Sequence, residues 1–199
     1  TFSFAGTLSA ARTKQAMAVL QDGRVLVVGG FDGTNALASC DIFDPSTGAV
    51  SAGPALATPR YSHTATTLLN GEIAVIGGAT TGNGGTVDVS SAEVFDPTTV
   101  AFANAGAGLT TAREAHQAFL LPSNNRVLIV GGTSAGQVVP GSELFVPQVS
   151  TADGSWSYAF APTAANITPR ATAVGNALSQ DGLLLVAGGS DGSGNALAS

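Results

Sequence analysis

The chain has 199 residues, of which 44% are apolar and only 10% charged, with a formal net charge of -6 and seven Lys and Arg spread singly. That balance argues against a basic surface for nucleic acid or an anionic membrane, and the lone Cys40 rules out an internal disulfide or a cysteine-rich zinc site. No apolar run is long enough for a membrane-spanning helix, and 26 glycines favour short strands and tight turns over helices.

Read in chain order, TFSFAG at residues 1–6 has the pattern of an outer strand. Next comes a first unit: Arg12, the small-residue strand QAMAVL, a turn at Asp22-Gly23, the run RVLVVGG ending on Gly29-Gly30, a polar loop, then CDIFDP and AVSAG. The second unit repeats the order with Arg60, HTATTLL, Asn70-Gly71, EIAVIGG, AEVFDP and VAFANAG. The third has Arg113, HQAFLL, Asn124-Asn125, RVLIVGG, SELFVP and WSYAFAP. The fourth has Arg170, ATAVGNAL, Asp181-Gly182 and LLLVAGG, and its loop SDGSGNALAS is the last segment of the sequence. The turn dipeptides are those that accept the positive φ of a tight hairpin, so each unit reads as four short antiparallel strands.

A four-stranded sheet cannot bury both faces by itself, so units of this size are expected to stack face to face, as blades do in a β-propeller. The chain is therefore expected to be all-β, with blades at 12–53, 60–106 and 113–161. An incomplete blade is expected at 170–199, and residues 1–6 should be the outer strand of a preceding or closing blade. Small residues suit a first strand crowded at the axis, and the Val, Leu and Ile of the second strand suit one covered on both faces. The glycine pairs act as punctuation. A phosphate cradle would need a helix after them, whereas each pair leads into a polar loop and, in the first three units, another strand.

With its double glycine after the second strand, Arg60 with His63, Arg113 with His116, and the aromatics Phe43, Phe95, Phe145 and Trp156, the chain resembles the Kelch-repeat family along essentially its whole length. Gln15 and Ala173 stand where a histidine is expected, so the chain resembles a divergent, bacterial-looking version of the motif. The resemblance implies that loops leading into the first strand and out of the second gather on one face around the axis. It extends distantly to the galactose oxidase propeller, without its copper ligands. Only Tyr61 and Tyr158 are available as tyrosines, and Cys40 lies outside the inner ring.

Arg12, Arg60, Arg113 and Arg170 form an arc in this scheme. Their architectural reading pairs them, between blades, with Asp41, Glu93 and Glu143; the alternative is an anion-binding ring. His63 and His116 read as hydrogen-bonded architectural residues, since a metal site needs at least three converging ligands. SDGSGN at residues 190–195 lacks the spaced carboxylates of a calcium loop. Asn166-Ile167-Thr168 is a glycosylation acceptor only in a eukaryotic secretory host. No catalytic residues, metal or cofactor are assigned.

The non-repeating residues of the loop face are the candidate binding residues: Lys14, Phe31, Asp32, Asn35, Tyr61, Thr80, Asn83, Glu114, Ser134 and Gln137. The expectation is a non-catalytic recognition or assembly module that binds protein loops or glycans, with no nucleic-acid or membrane partner. Low charge with abundant Ser, Thr and Gly leads to the expectation of an extracellular or periplasmic protein. The alternative is the propeller part of a carbohydrate-active or oxidase-type enzyme whose catalytic residues lie outside this chain. An unpaired LLLVAGG edge is expected to take up another chain or further blades.

Overall fold

The computed structural model describes residues 6–82, 84–163, 168–178 and 183–198. Residues 1–5 of the outer strand expected at 1–6, the turn at Asp181-Gly182, Asn83, and Asn166 and Ile167 of the glycosylation triplet lie outside them. Every regular element among the described residues is a strand.

The first unit holds β1 (Ala16–Val19), β2 (Val25–Val28), β3 (Cys40–Asp44) and β4 (Ala49–Ala52), hydrogen-bonded in that order as one antiparallel sheet. The second begins with β5 (Thr64–Thr67) and β6 (Ile73–Ile76). It grows a hairpin of β7 (Ala79–Gly82) and β8 (Gly85–Asp88), and closes its sheet with β9 (Ser91–Asp96) and β10 (Ala101–Gly108). The third has β11 (Gln117–Leu121), β12 (Arg126–Val130), the small hairpin of β13 (Thr133–Ser134) and β14 (Gln137–Val138), then β15 (Ser142–Val149) and β16 (Trp156–Pro162). The fourth is the pair β17 (Val174–Leu178) and β18 (Leu183–Ala187). First strands neighbour one another in the series β1, β5, β11, β17, and the blades form an open arc, not a closed propeller.

Strand alternation builds the core between blades. Leu26 and Val28 of β2 pack with Ile42 against Ile73, Val75 and Phe95 of the second blade. The opposite faces of the same two strands, Ala74 and Ile76 with Val94, pack against Val127, Ile129 and Phe145 of the third. The second strand of the second blade, β6, is thus covered on both sides, which is why it reads as an unbroken apolar run.

Two expectations are corrected. The polar loops after the glycine pairs carry hairpins in the second and third units, whose last strand pairs are Gly82 with Gly85 and Ser134 with Gln137. Trp156 does not fill the aromatic position of the fourth strand. Phe145 pairs across to Phe160, as Phe95 does to Phe102, and stacks on Tyr158 at 5.3 Å, whereas Trp156 sits opposite Val149 at the strand's exposed start.

The glycine pairs mark where blades touch. The second glycine's N–H donates to the carbonyl of the next unit's arginine: Gly30 to Arg60 at 2.9 Å, Gly78 to Arg113 at 2.9 Å and Gly132 to Arg170 at 3.1 Å. A Cβ on Gly29 would lie 2.5 Å from the Arg60 oxygen, and one on Gly77 2.8 Å from that of Arg113. Gly29→Ala is therefore expected to cost about 2–4 kcal/mol, from clash added to left-handed backbone strain. Gly33→Ala, whose added methyl would meet nothing within 4 Å, should lose only the strain component. Urea midpoints compare the two, and equal losses would show that close approach is not the role of the pair.

Candidate functional site

Each arginine is the anchor of its own blade. Arg60 is fully buried, and its five N–H donors all find acceptors: Nε to Thr58 O at 3.3 Å, Nη1 to Gly77 O and Ser91 O at 2.9 Å each, and Nη2 to Ser91 Oγ at 3.0 Å and Glu93 Oε1 at 2.9 Å. Glu93 accepts in addition from the Ala57 and Thr58 amides. Arg12 with Asp41 and Arg113 with Glu143 repeat the pair at 2.8 Å. Arg170 donates to Thr168 O and Gly188 O. The expected arginine–acid pairs therefore form, with one correction. They lie within a blade, and it is the arginine's main-chain carbonyl that crosses to the preceding one. The guanidiniums of Arg12 and Arg60 are used up internally and that of Arg113 is buried with four N–H groups bound in the same way, which leaves the anion-ring reading without free donors at Arg12 or Arg60.

The residue after each arginine bridges the residue after each glycine pair: Thr13 to Phe31, Tyr61 to Ala79, Glu114 to Thr133 and Ala171 to Ser190. Lead-in and lead-out segments are thereby held side by side on one face. Lys14, Phe31 and Tyr61 come together there. The Lys14 ammonium lies 5.1 Å from the Tyr61 ring centroid, and Phe31 packs on the same ring at 5.1 Å. Tyr61 does not offer its ring to a partner: it is 5% exposed, and its hydroxyl shares a 2.9 Å hydrogen bond with Thr86 Oγ1. Asp32 and Asn35 are exposed, but Asp32 is occupied in capping the Thr34 and Asn35 amides, which holds its carboxyl below the usual range. Thr80 and Glu114 are half-buried; Ser134 pairs with exposed Gln137 across the small hairpin.

Sequence reasoning missed the residues that join these loops into one surface. Ala36 N donates to Thr81 Oγ1 at 3.1 Å, tying the first unit's loop to the β7–β8 hairpin. Asp88 Oδ2 accepts from Ala135 N at 2.6 Å, tying that hairpin to the next. Val87 stands 53% exposed on the rim so formed. The signal was present in TTGNGGTVD, whose glycine-rich centre between alternating residues is a hairpin pattern.

Residues 12–56, spanning the first blade from its arginine through the fourth strand, match the Kelch motif. The first blade carries a Kelch motif. Kelch repeats commonly mediate protein interactions. Comparison with curated proteins finds no match. The second and third units repeat the sheet, the arginine pair and the glycine joint of the matched one.

At the axis, the four units each place a residue with φ between 52° and 54° just before the first strand: Lys14, Ser62, Ala115 and Thr172. Ser62 N donates to Lys14 O and Ala115 N to Ser62 O, both at 2.9 Å, so a main-chain thread runs around the axis. A shallow cleft of about 290 Å³ opens over it, bordered by Gln15, His63, His116, Gln117 and Ala173. Of the two histidines expected to be hydrogen-bonded, His116 is and His63 is not. His116 Nε2 bonds Thr64 Oγ1 at 3.0 Å, but its Nδ1 and both ring nitrogens of His63 are buried without partners among the described residues. Their rings serve as filler, seated against Gly29 and Gly77 of the preceding blades. No group of three or more His, Cys, Asp or Glu suited to a metal stands among the described residues. Cys40 is buried in β3, and burial pushes its thiol up to about 11.

A second concavity, about 420 Å³, lies on the outer rim between β10 and β16, with Phe102, Trp156 and Tyr158 beside Glu72, Asp96 and Asn104. Tyr158 donates to Glu72 Oε2 at 2.7 Å, and burial together with that contact pushes the phenol up. No helix among the described residues is long and apolar enough to cross a membrane.

Breaking an arginine anchor strands its acid. Arg60→Met should cost about 3–5 kcal/mol, the range for leaving a buried charge unpaired, while Arg24→Met, which breaks an exposed pair with Asp22, should leave the urea midpoint where it was. Equal effects would remove the anchor role.

The histidines predict an acid-side loss. Burial, then the Arg60 charge, then His116, pulls His63 down to about 3; burial and then the Arg113 charge does the same to His116. Unfolded, each titrates near 6.5. Below that pH the unfolded chain binds protons that the fold excludes. Stability present in full above pH 6.5 therefore falls as pH drops towards 3, by up to about 1.4 kcal/mol per pH unit for each histidine. His63→Gln, which installs the residue native at position 15, should flatten the dependence of the urea midpoint on pH above the carboxylate range. An unchanged slope would refute the neutral-histidine assignment.

Proposed function

We propose that this Kelch-repeat chain is a non-catalytic, exported recognition module that grips a protein loop on the rim formed by its lead-out hairpins. The observation that carries the reading is the cross-linking of three successive lead-out loops through Ala36–Thr81 and Asp88–Ala135, with Val87 and Gln137 left exposed on top. A surface held by hydrogen bonds between blades is already ordered, so binding need not pay for loop ordering. Buried Tyr61 belongs to the support of this rim, and the contact residues are Val87, Thr86, Gln137 and Asn35.

Panning a displayed library of constrained peptide loops tests it. Peptides enriched on the wild-type chain should lose roughly tenfold or more in affinity, about 1.4 kcal/mol, on Val87→Asp and Gln137→Ala, with the melting temperature unchanged. Enriched peptides indifferent to both substitutions would overturn the reading. A second reading is favoured by the outer groove, where an exposed Trp156 beside Glu72, Asp96 and Asn104 offers the aromatic face and acceptors that suit a sugar ring. Glycan-array signals abolished by Trp156→Ala, alongside a failed peptide selection, would move the assignment there.

A further inference from the structure

The arginine anchor of the third blade lacks a partner that its siblings have. In the first two blades the residue whose carbonyl accepts from the arginine Nη1 is a serine, and its hydroxyl also accepts from Nη2: Ser39 Oγ from Arg12 at 3.2 Å and Ser91 Oγ from Arg60 at 3.0 Å. In the third blade that residue is Gly141, which keeps the carbonyl contact, at 3.2 Å, but has no hydroxyl. The strand registers agree on the equivalence, since the next residues, Cys40, Ala92 and Ser142, lie opposite Val28, Ile76 and Val130. Arg113 Nη2 is left with Glu143 Oε1 alone, at 2.8 Å, and its second N–H has no acceptor among the described residues.

The acid of the pair is short of a donor as well. Glu93 Oε1 accepts from Arg60 and from the Thr58 amide, at 2.9 and 3.1 Å. Glu143 Oε1 accepts from Arg113, while the amide of Thr111, the counterpart of Thr58, has no acceptor among the described residues. Arg113 and Glu143 are nevertheless buried, at 2% and 4% exposure. An unmet N–H of a charged group at that depth is costly unless something else accepts from it. Both residues line one concavity of about 270 Å³, together with Thr111, Gly141, Pro140 and Pro162. A Cβ added at Gly141 would meet nothing within 4 Å, so space stands open where the siblings carry serine.

We propose that this concavity binds one small hydroxyl-rich molecule, a polyol or a single sugar residue, whose hydroxyl takes the place of the missing serine. A hydroxyl suits the position because it both accepts and donates: it takes the free Arg113 Nη2 N–H and returns its own hydrogen to Glu143 Oε1, which has a lone pair to spare. The second blade shows that the fork admits such an oxygen, since Ser91 Oγ stands there. An anion is disfavoured, because Glu143 already balances the guanidinium and would repel a second negative charge at close range. The volume lies at the small end of ligand pockets, which suits one ring and not a chain of them. Pro140 and Pro162 offer apolar carbon to the C–H face of that ring. The site shares no residue with the hairpin rim or with the groove beside Trp156, so it goes beyond both readings above and is tested apart from them.

Nitrogen–proton correlation NMR of the isotope-labelled full chain tests it, with glycerol and the methyl glycosides of glucose, galactose and mannose as probes. At least one probe should shift the Arg113 Nε–H and Thr111 amide signals saturably, while the Nε–H signals of Arg12 and Arg60, whose serines are in place, stay still. Gly141→Ser, which restores the siblings' hydroxyl, should weaken that binding roughly tenfold or more, the worth of a hydrogen bond to a charged group. Gly141 has a φ of 105°, so if the serine variant unfolds, Thr110→Trp carries the test with the same expected loss: it places a bulky side chain at an exposed position on the cavity wall. No shift with any probe would mean that the cavity holds water only and would overturn the proposal. So would shifts shared equally with Arg60, or binding that survives the substitution carrying the test.

Discussion

Everything in this arc hangs on one residue facing two ways. The side chain of Arg60 is bound wholly within its own blade, to Glu93, Ser91, Thr58 and Gly77, and its main-chain carbonyl is bound to Gly30 of the blade before. A buried ion pair is weak evidence of net stabilisation, since desolvation of both charges offsets their attraction. What the pair does supply is position: five donors with five acceptors allow the lead-in segment a single register on its sheet. With that segment fixed, the carbonyl meets the glycine N–H at hydrogen-bond distance, and apolar faces such as Leu26 and Ile73 are brought into contact as a consequence. Lysine in the same place would supply three donors from a point charge and could not hold the fork of acceptors.

The fold was largely legible because its determinants are periodic and local. Gly29-Gly30 and its counterparts, the turn dipeptides and the apolar second strands recur in step, and each has a stereochemical reason that does not depend on distant residues. The arginine–acid pairs were legible as pairs, since Asp41, Glu93 and Glu143 recur in register. Their direction was not, because spacing alone does not say whether an acid three strands away lies in the same blade or the next. Trp156 misled for a related reason: the third unit's longer strand connection displaces it from the position that Phe160 fills. His63 was expected to hydrogen-bond because imidazoles usually do. Its packing against Gly29 became visible only once the preceding blade was in place.

The candidate site was less legible, since its residues are defined by contacts between loops of different units. Tyr61 looked like a loop aromatic free to bind and proved to be the floor of the Phe31, Ala36 and Ala79 cluster. Thr81 and Asp88, which stitch adjacent loops together, carry no sequence mark that sets them apart from other polar loop residues. The β7–β8 hairpin could have been read from its glycine-rich turn, but its importance lies in reaching the loops on either side, and that is a property of blade spacing.

The division between main-chain joint and side-chain rim explains how such an arc can vary in what it binds. The link common to the three inner joints uses only backbone atoms of an arginine and a glycine, while the imidazole filler is present at two of them and replaced by Ala173 at the third. Side chains at the axis can therefore change without unfastening the blades. The same holds at the loop face: the bridges from Thr13 to Phe31 and from Glu114 to Thr133 are main-chain pairs, and they leave the side chains beyond them unconstrained. Loop length is free as well, because the chain returns to a fixed place, the amide of Leu37, Val89 or Val139 on the second glycine's carbonyl, whether it has made a short turn or a hairpin on the way. A rim assembled on those fixed points can differ from unit to unit in shape and chemistry at little cost to the blades beneath, which is the physical condition for a scaffold whose specificity resides in its loops.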